Sequence, residues 1–283
     1  AYEKDLQAIL AQQHAQGGDY WTTPDKRLNK GGPFSTLSST LLLLELGMSP
    51  SDPLLCDVAA LIFSCLREDG RIRLSPAEAI YPRHTINALN VLCHLGYASD
   101  QRLHQTYQYL FDIQHNDGGW RCNKFSFGRG PETDYSNPGP TLTALNAFRF
   151  TKHLNSTASL DRAVDFLLEH WQIRQPIGPC HYGIGSLFLQ VEYPFTTYNL
   201  FSYAYVLSFY HRAQKDPRFL EAAALLESKM EEEKIIVQRV NPKLARYSFC
   251  KKGQPSELGT KRYLELKDNL RGRGNQKKVG DGT

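Results

Sequence analysis

The stretch Tyr109-Leu-Phe-Asp-Ile-Gln-His-Asn-Asp-Gly-Gly-Trp120 decides the fold. It predicts the end of a helix carrying an aromatic–aliphatic pair, Tyr109 and Leu110, followed by Gln114, the turn Asp117-Gly118-Gly119, and Trp120. Glycine lets the chain leave a helix through backbone conformations closed to other residues. The Gln114 amide suits the orphan polar groups of a helix end, and Trp120 suits an apolar wedge for the next element.

Outward from this stretch the pattern recurs. A shift of 48 residues carries Asp69-Gly70 onto Asp117-Gly118 and Leu55 onto Leu103. A shift of 57 carries Leu103 onto Leu160 and Tyr109-Leu110 onto Phe166-Leu167. Thr85-Ile-Asn-Ala-Leu-Asn-Val-Leu92 reappears as Thr141-Leu-Thr-Ala-Leu-Asn-Ala-Phe148, and Gln13 to Trp21 echoes Gln114 to Trp120. A weaker unit runs from near Tyr198 to Met230, and a half-unit starts at Thr260. Periods of roughly 40–60 residues with two helical segments each signal stacked repeats, in which no unit buries its apolar face alone.

Each unit contains two kinds of helix. Leu37 to Leu46, Ile86 to Leu95, Leu142 to Phe150 and Leu200 to Phe209 are apolar on most sides and so predicted to be buried on most sides. The second kind is amphipathic: Leu103, Tyr107, Leu110 and Ile113 share a face opposite Asp100, Arg102, Gln105 and Asp112. Alternating inner and outer helices predict an all-α fold, an α/α toroid over residues 1–270 that encloses a central cavity. Residues 271–283, Gly-rich and carrying a charge of +3 out of the chain's +4, read as a disordered basic tail.

The body is nearly neutral, which argues against nucleic acid as a partner. No apolar run approaches the ~20 residues of a transmembrane helix. The opening AYEKDLQAIL has neither an initiator Met nor a signal-peptide layout, as in a trimmed chain or part of a longer one. Six scattered cysteines without C-x-x-C fit reduced thiols in a cytoplasm. Cys56, Cys65 and Cys93 lie in apolar helical runs and read as core.

The spacing aromatic–aliphatic–x3–Gln–x3–Gly–x–Trp, carried by Tyr109, Leu110, Gln114, Gly118 and Trp120, resembles the QW motif of squalene–hopene cyclases and related triterpene cyclases. Arg162-Ala163-x-x-Phe166-Leu167 resembles the motif's opening, with Trp171 in the place of Gln. With inner helices that begin Thr-x-x-Ala-Leu, the chain looks like a member of the prenyltransferase/squalene-oxidase repeat superfamily, which includes the β subunits of protein prenyltransferases. The resemblance implies a cavity that binds or acts on an isoprenoid-like or other apolar small molecule. Three family signatures are missing. There is no adjacent Asp pair for a D-x-D-D proton donor or a magnesium-binding D-D-x-x-D, and Trp120 replaces the Asp of the zinc motif Asp-x-Cys before Cys122. A non-catalytic toroid that binds a small ligand or a peptide is the alternative.

Candidate site residues come from the loops before the inner helices. Pro82-Arg83-His84, Asp134-Tyr135-Ser136-Asn137 and Glu192-Tyr193-Pro194 would meet at one rim of a closed ring. Asp134 and His84 are the candidate catalytic pair. Helix N-termini there suit an anion such as a diphosphate, and Arg83, Arg121 and Arg129 could add charge-assisted bonds; helix capping and surface pairing are the bland alternative. Arg83, Tyr135, Glu192, Tyr193, Tyr198, Phe201 and Tyr205 are the expected ligand-binding residues, the aromatics drawn from one helical stretch, Tyr193 to Tyr210. Adjacent Cys180-His181 resembles the zinc-binding Cys-His-Gly of lanthionine cyclases. Together with Cys122 it makes a candidate zinc set for a zinc-thiolate enzyme, zinc being the one cofactor the sequence suggests; a hydrogen-bonded structural His and small buried thiols are the alternative.

Overall fold

The computed structural model describes residues 2–122 and 130–272. The predicted tail beyond residue 272 and Arg129 lie outside the described residues. Eleven α-helices occur among them: α1 Glu3–Leu10, α2 Thr36–Glu45, α3 Pro53–Ser64, α4 Pro82–His94, α5 His104–Asp112, α6 Pro138–Phe148, α7 Ala158–Ile173, α8 Leu200–Leu207, α9 His211–Gln214, α10 Pro217–Glu227 and α11 Glu257–Leu270. One small antiparallel hairpin, β1 Met230–Glu231 with β2 Lys234–Ile235, pairs Met230 with Ile235. No described helix is long and apolar enough to cross a membrane.

The expected starts near Leu37, Thr85, Thr141, Tyr198 and Thr260 fall within three residues of α2, α4, α6, α8 and α11. Local chemistry sets these ends. Asp52 and Asp216 cap α3 and α10, each followed by a proline at the first helical position. Asn199 and Ser202 form a reciprocal capping box on α8. α2 and α4 end on Gly47 and Gly96, both at positive φ, with Met48 N–H returning to the Leu43 carbonyl and Tyr97 N–H to that of Leu92.

Packing follows the two apolarity patterns. α8 buries all eight of its residues, whereas α5 buries only Thr106, Tyr107 and Leu110. α2, α4, α6, α8 and α11 pack in succession, while α3, α5, α7 and α10 lie against them. An ion pair from Arg262 of α11 to Glu45 of α2, 2.5 Å, ties the last of these helices to the first. α11 is an exception to the inner pattern, burying only Gly259, Tyr263 and Leu266.

The corner between α5 and α7 explains the motif. Gln114 Nε2 donates to the Gly118 carbonyl at 2.5 Å and to the Ser159 carbonyl of α7 at 2.7 Å. Gly118, at φ +93°, lies so close to α7 that a Cβ would stand 2.5 Å from the Arg162 carbonyl. Trp120 is wholly buried, stacks on Phe148 of α6 and donates to the Leu110 carbonyl at 2.7 Å. Asp117 accepts from the backbone N–H and hydroxyl of Ser136. The first corner repeats the device, Trp21 donating to the Ile9 carbonyl and Gln16 to that of Phe34.

The recurrent threonine also has a function. Ile72, Trp120 and Ile235 each donate a backbone N–H to the hydroxyl of Thr85, Thr141 and Thr260, all at 3.0 Å. Each threonine thus satisfies a backbone donor of the segment that follows a corner.

Two expectations are corrected. Cys56 is exposed on α3, and Cys65, just beyond the end of α3, packs half-buried against the edge of the core, so only Cys93 of the three is fully buried. The run Tyr193 to Tyr210 is not one helix, since residues 193–199 form an irregular, bent segment before α8. Pro194 and the Asn199 cap are the local reasons.

Candidate functional site

A cavity of about 560 Å³ lies between α2, α4, α6, α8 and the segment Tyr193–Tyr198. Its wall follows from helical spacing. Arg83, Asn87, Asn90 and His94 are four, seven and eleven residues apart, so they share one face of α4, and all four line the cavity. The repeat puts equivalent positions of α6 and α2 beside them. Ser38, Asn87 and Thr143 make one layer; Leu41, Asn90 and Asn146 the next. Leu37, Leu42, Pro140, Leu142 and Val206 supply apolar surface, and Tyr182, Tyr193, Phe195 and Tyr198 supply aromatic surface.

The C-terminal ends of the inner helices close one end with charge. Glu45 binds Arg262 and accepts from the Tyr193 hydroxyl. Arg262 also pairs with Glu265, which accepts from Tyr205 at 2.7 Å. Arg149 donates to Asn146 Oδ1 at 2.8 Å, lies over the ring of Phe209 and stands 3.5 Å from His94 Nε2. His94 Nδ1 lies 2.7 Å from the Asn90 carbonyl, so it carries the proton. Burial, then the neighbouring Arg149, lower the His94 pKa to about 3, and the ring is neutral at physiological pH.

The other end carries Arg83. Its Nε is buried and has no hydrogen-bond partner among the described residues. Cys180 lies beside it and is close enough to hydrogen-bond to the Cys122 thiol. Burial first, then Cys122, push the Cys180 thiol up to about 11, so it is a thiol rather than a thiolate at neutral pH. Asn137 ties this corner together, its Oδ1 accepting from the Cys122 N–H at 2.5 Å. Gly139 leaves room for Tyr182, whose ring a Cβ there would meet at 2.6 Å.

The predicted residues therefore divide. Arg83, Tyr193 and Tyr198 line the cavity. Phe201 and Tyr205 are buried behind it, Phe201 against Phe195 and Tyr205 bonded to Glu265. Glu192 is 2% exposed and satisfied by the hydroxyls of Thr196 and Thr197 and by Arg239, so it holds the segment in place instead of facing the cavity. Tyr135 is exposed, and Arg121 donates to the Thr133 carbonyl. The pair Asp134 and His84 does not meet at the cavity. Asp134 is exposed at the end of a 3-10 turn, and His84, which does not line the cavity, is buried edge-on to Tyr81. Cys122 and Cys180 come together, but His181, at φ +49°, is exposed, and no three His, Cys, Asp or Glu among the described residues converge as metal ligands.

Asn87, Asn90, His94, Thr143 and Asn146 were absent from the sequence-based site. Their signal was present, since Asn and Thr interrupt otherwise apolar helices at matched positions of Thr85–Leu92 and Thr141–Phe148. No protein-family profile matches the chain, and no curated protein matches it by sequence.

Proposed function

We propose that the chain is an α/α toroid of the prenyltransferase/terpene-cyclase-like kind, and that it binds an elongated small molecule with an apolar body in its central cavity. The observation that carries this reading is the cavity of about 560 Å³ walled by repeat-equivalent positions of successive inner helices. An apolar wall with a few convergent polar groups suits a small-molecule ligand. The succession from α2 to α11, with the Glu45–Arg262 link, supports closure of the ring.

Binding is favoured over turnover. The single acid among the described lining residues, Glu45, is engaged by Arg262 and by the Tyr193 hydroxyl instead of standing free in the cavity. Native mass spectrometry with farnesol and farnesyl diphosphate tests the reading. We expect a one-to-one complex, lost when Leu41→Trp fills the cavity, with the diphosphate recovered unchanged. Release of diphosphate by the purified protein would replace the binding role with an enzymatic one.

A further inference from the structure

Resting on the cavity-binding reading, two side chains of α4 that each bring to the cavity a buried polar atom with no hydrogen-bond partner among the described residues define the ligand more closely. Asn90 is 5% exposed, lines the cavity, and its Oδ1 is buried without a hydrogen-bond donor. Arg83 lines the same cavity, its Nε buried without an acceptor. Buried polar groups are normally paired, so each open atom states what is missing opposite it. Asn90 Oδ1 calls for an O–H or N–H, and a guanidinium calls above all for an anion.

The charges point the same way. Among the described lining residues the cations and acids are Arg83, Glu45 and the neutral His94, and Glu45 is paired at the opposite end with Arg262. Arg83 faces the thiol of Cys180 and the phenol of Tyr182, both held protonated by burial, with pKa values of about 11 and about 12. Its charge is therefore uncompensated within the wall. Seven residues of helix separate it from Asn90, a rise of about 10 Å. Between and around them the wall mixes aliphatic and aromatic side chains (Leu37, Leu41, Leu42, Leu142, Val206, Phe195) with uncharged polar ones such as Ser38, Asn87 and Thr143.

We propose that the ligand is an amphiphilic acid: a carboxylate or phosphate held by Arg83, an apolar body along the cavity, and a hydroxyl or amine held by Asn90. Asn87, between the two on the same face, and Thr143 opposite bind polar substituents of the body.

The test uses three probes of one length, 10-hydroxydecanoic acid, decanoic acid and 1,10-decanediol, titrated by calorimetry against the wild-type protein, Arg83→Gln, Asn90→Leu and Leu41→Trp. The hydroxy acid should bind the wild type most tightly. Arg83→Gln should weaken both acids by about tenfold or more and leave the diol unchanged, as expected for loss of a charge-assisted bond. Asn90→Leu should erase the advantage of the hydroxy acid over decanoic acid. A thermal melt of each variant confirms folding, and decanoic acid binding to Asn90→Leu serves as an internal check. If all three probes bind the variants as they bind the wild type, or none binds at all, the assignment of these contacts is overturned. Undiminished binding to Leu41→Trp would instead place the ligand outside the cavity and remove the underlying reading.

Discussion

The corner at Trp120 and the cavity face of α4 are built from the same repeat but solve opposite problems. At the corner, side chain after side chain finds a partner: Gln114 bridges Gly118 to α7, Asp117 holds Ser136, and Trp120 reaches back to Leu110. On α4, Arg83 and Asn90 are directed inward with atoms left open. The bonded groups of the corner hold units together, whereas an open buried atom facing a cavity is stability given up for something else. The motif most visible in the sequence therefore marks architecture, while the quieter asparagines mark the candidate site.

The comparison breaks most sharply at Trp120. Trp120→Ala removes a fully buried indole, its stacking on Phe148 and its bond to Leu110. A loss of about 3–5 kcal/mol is expected in urea denaturation. An unchanged midpoint would mean that the corner is not the joint between units.

Two glycines sharpen the same point. Gly118 and Gly47 have nearly equal φ, +93° and +96°, but a Cβ on Gly118 would strike the Arg162 carbonyl of α7 whereas one on Gly47 meets nothing within 4 Å. Gly47→Ala should cost about 1 kcal/mol from backbone strain alone. Gly118→Ala should cost about 2–3 kcal/mol, because α7 must also shift. Equal losses would show that Gly118 serves only as a turn residue.

How far the molecule was legible follows from this division. Helix starts were readable because capping residues, prolines and repeat spacing act locally. The Gln114–Trp120 corner was readable because its partners are a turn away or one unit on. The site was less so. Asp134 lies in the expected connection but is exposed by its 3-10 turn, and His84, expected in a loop, belongs to the first turn of α4, where it is buried beside Tyr81. Cys122 and Cys180, singled out as candidate zinc ligands, do meet, through loops that share Asn137. His181 does not join them, because a positive φ turns the chain outward just after Cys180. Asn90 passed as one more residue in an apolar helix, since only the cavity distinguishes it.

The charged end of the cavity predicts an acid sensitivity. Unfolded His94 takes up a proton near its ordinary pKa of about 6.5. In the folded protein burial, Arg149 and Arg262 hold the pKa near 3. Between these values the unfolded state binds more protons, so stability falls as pH drops from 6.5 toward 3, with a slope of at most about 1.4 kcal/mol per pH unit from this residue. His94→Gln should flatten the slope between pH 6 and pH 5 in urea melts. His170, whose pKa burial lowers to about 4, retains its own share in that variant. An unaltered slope would show that His94 is protonated in the folded cavity.

The smallest effect has the opposite sign and bears directly on the comparison. Leu is close to Asn in shape, and Asn90→Leu removes a buried acceptor that has no donor. Leaving such a group unsatisfied costs about 1–3 kcal/mol, and Leu suits a wall that already holds Leu41 and Val91, so the variant should be more stable by about 1 kcal/mol. Gln114→Leu, at the corner, orphans the Gly118 and Ser159 carbonyls and should be less stable by about 1–2 kcal/mol. Thermal melts of the two variants side by side measure the contrast. A stabilised Asn90→Leu that no longer prefers a hydroxy acid would show that the open oxygen is kept for a ligand at a cost in stability. If both variants are destabilised alike, Asn90 has a structural partner in the folded protein, and the division between corner and cavity fails.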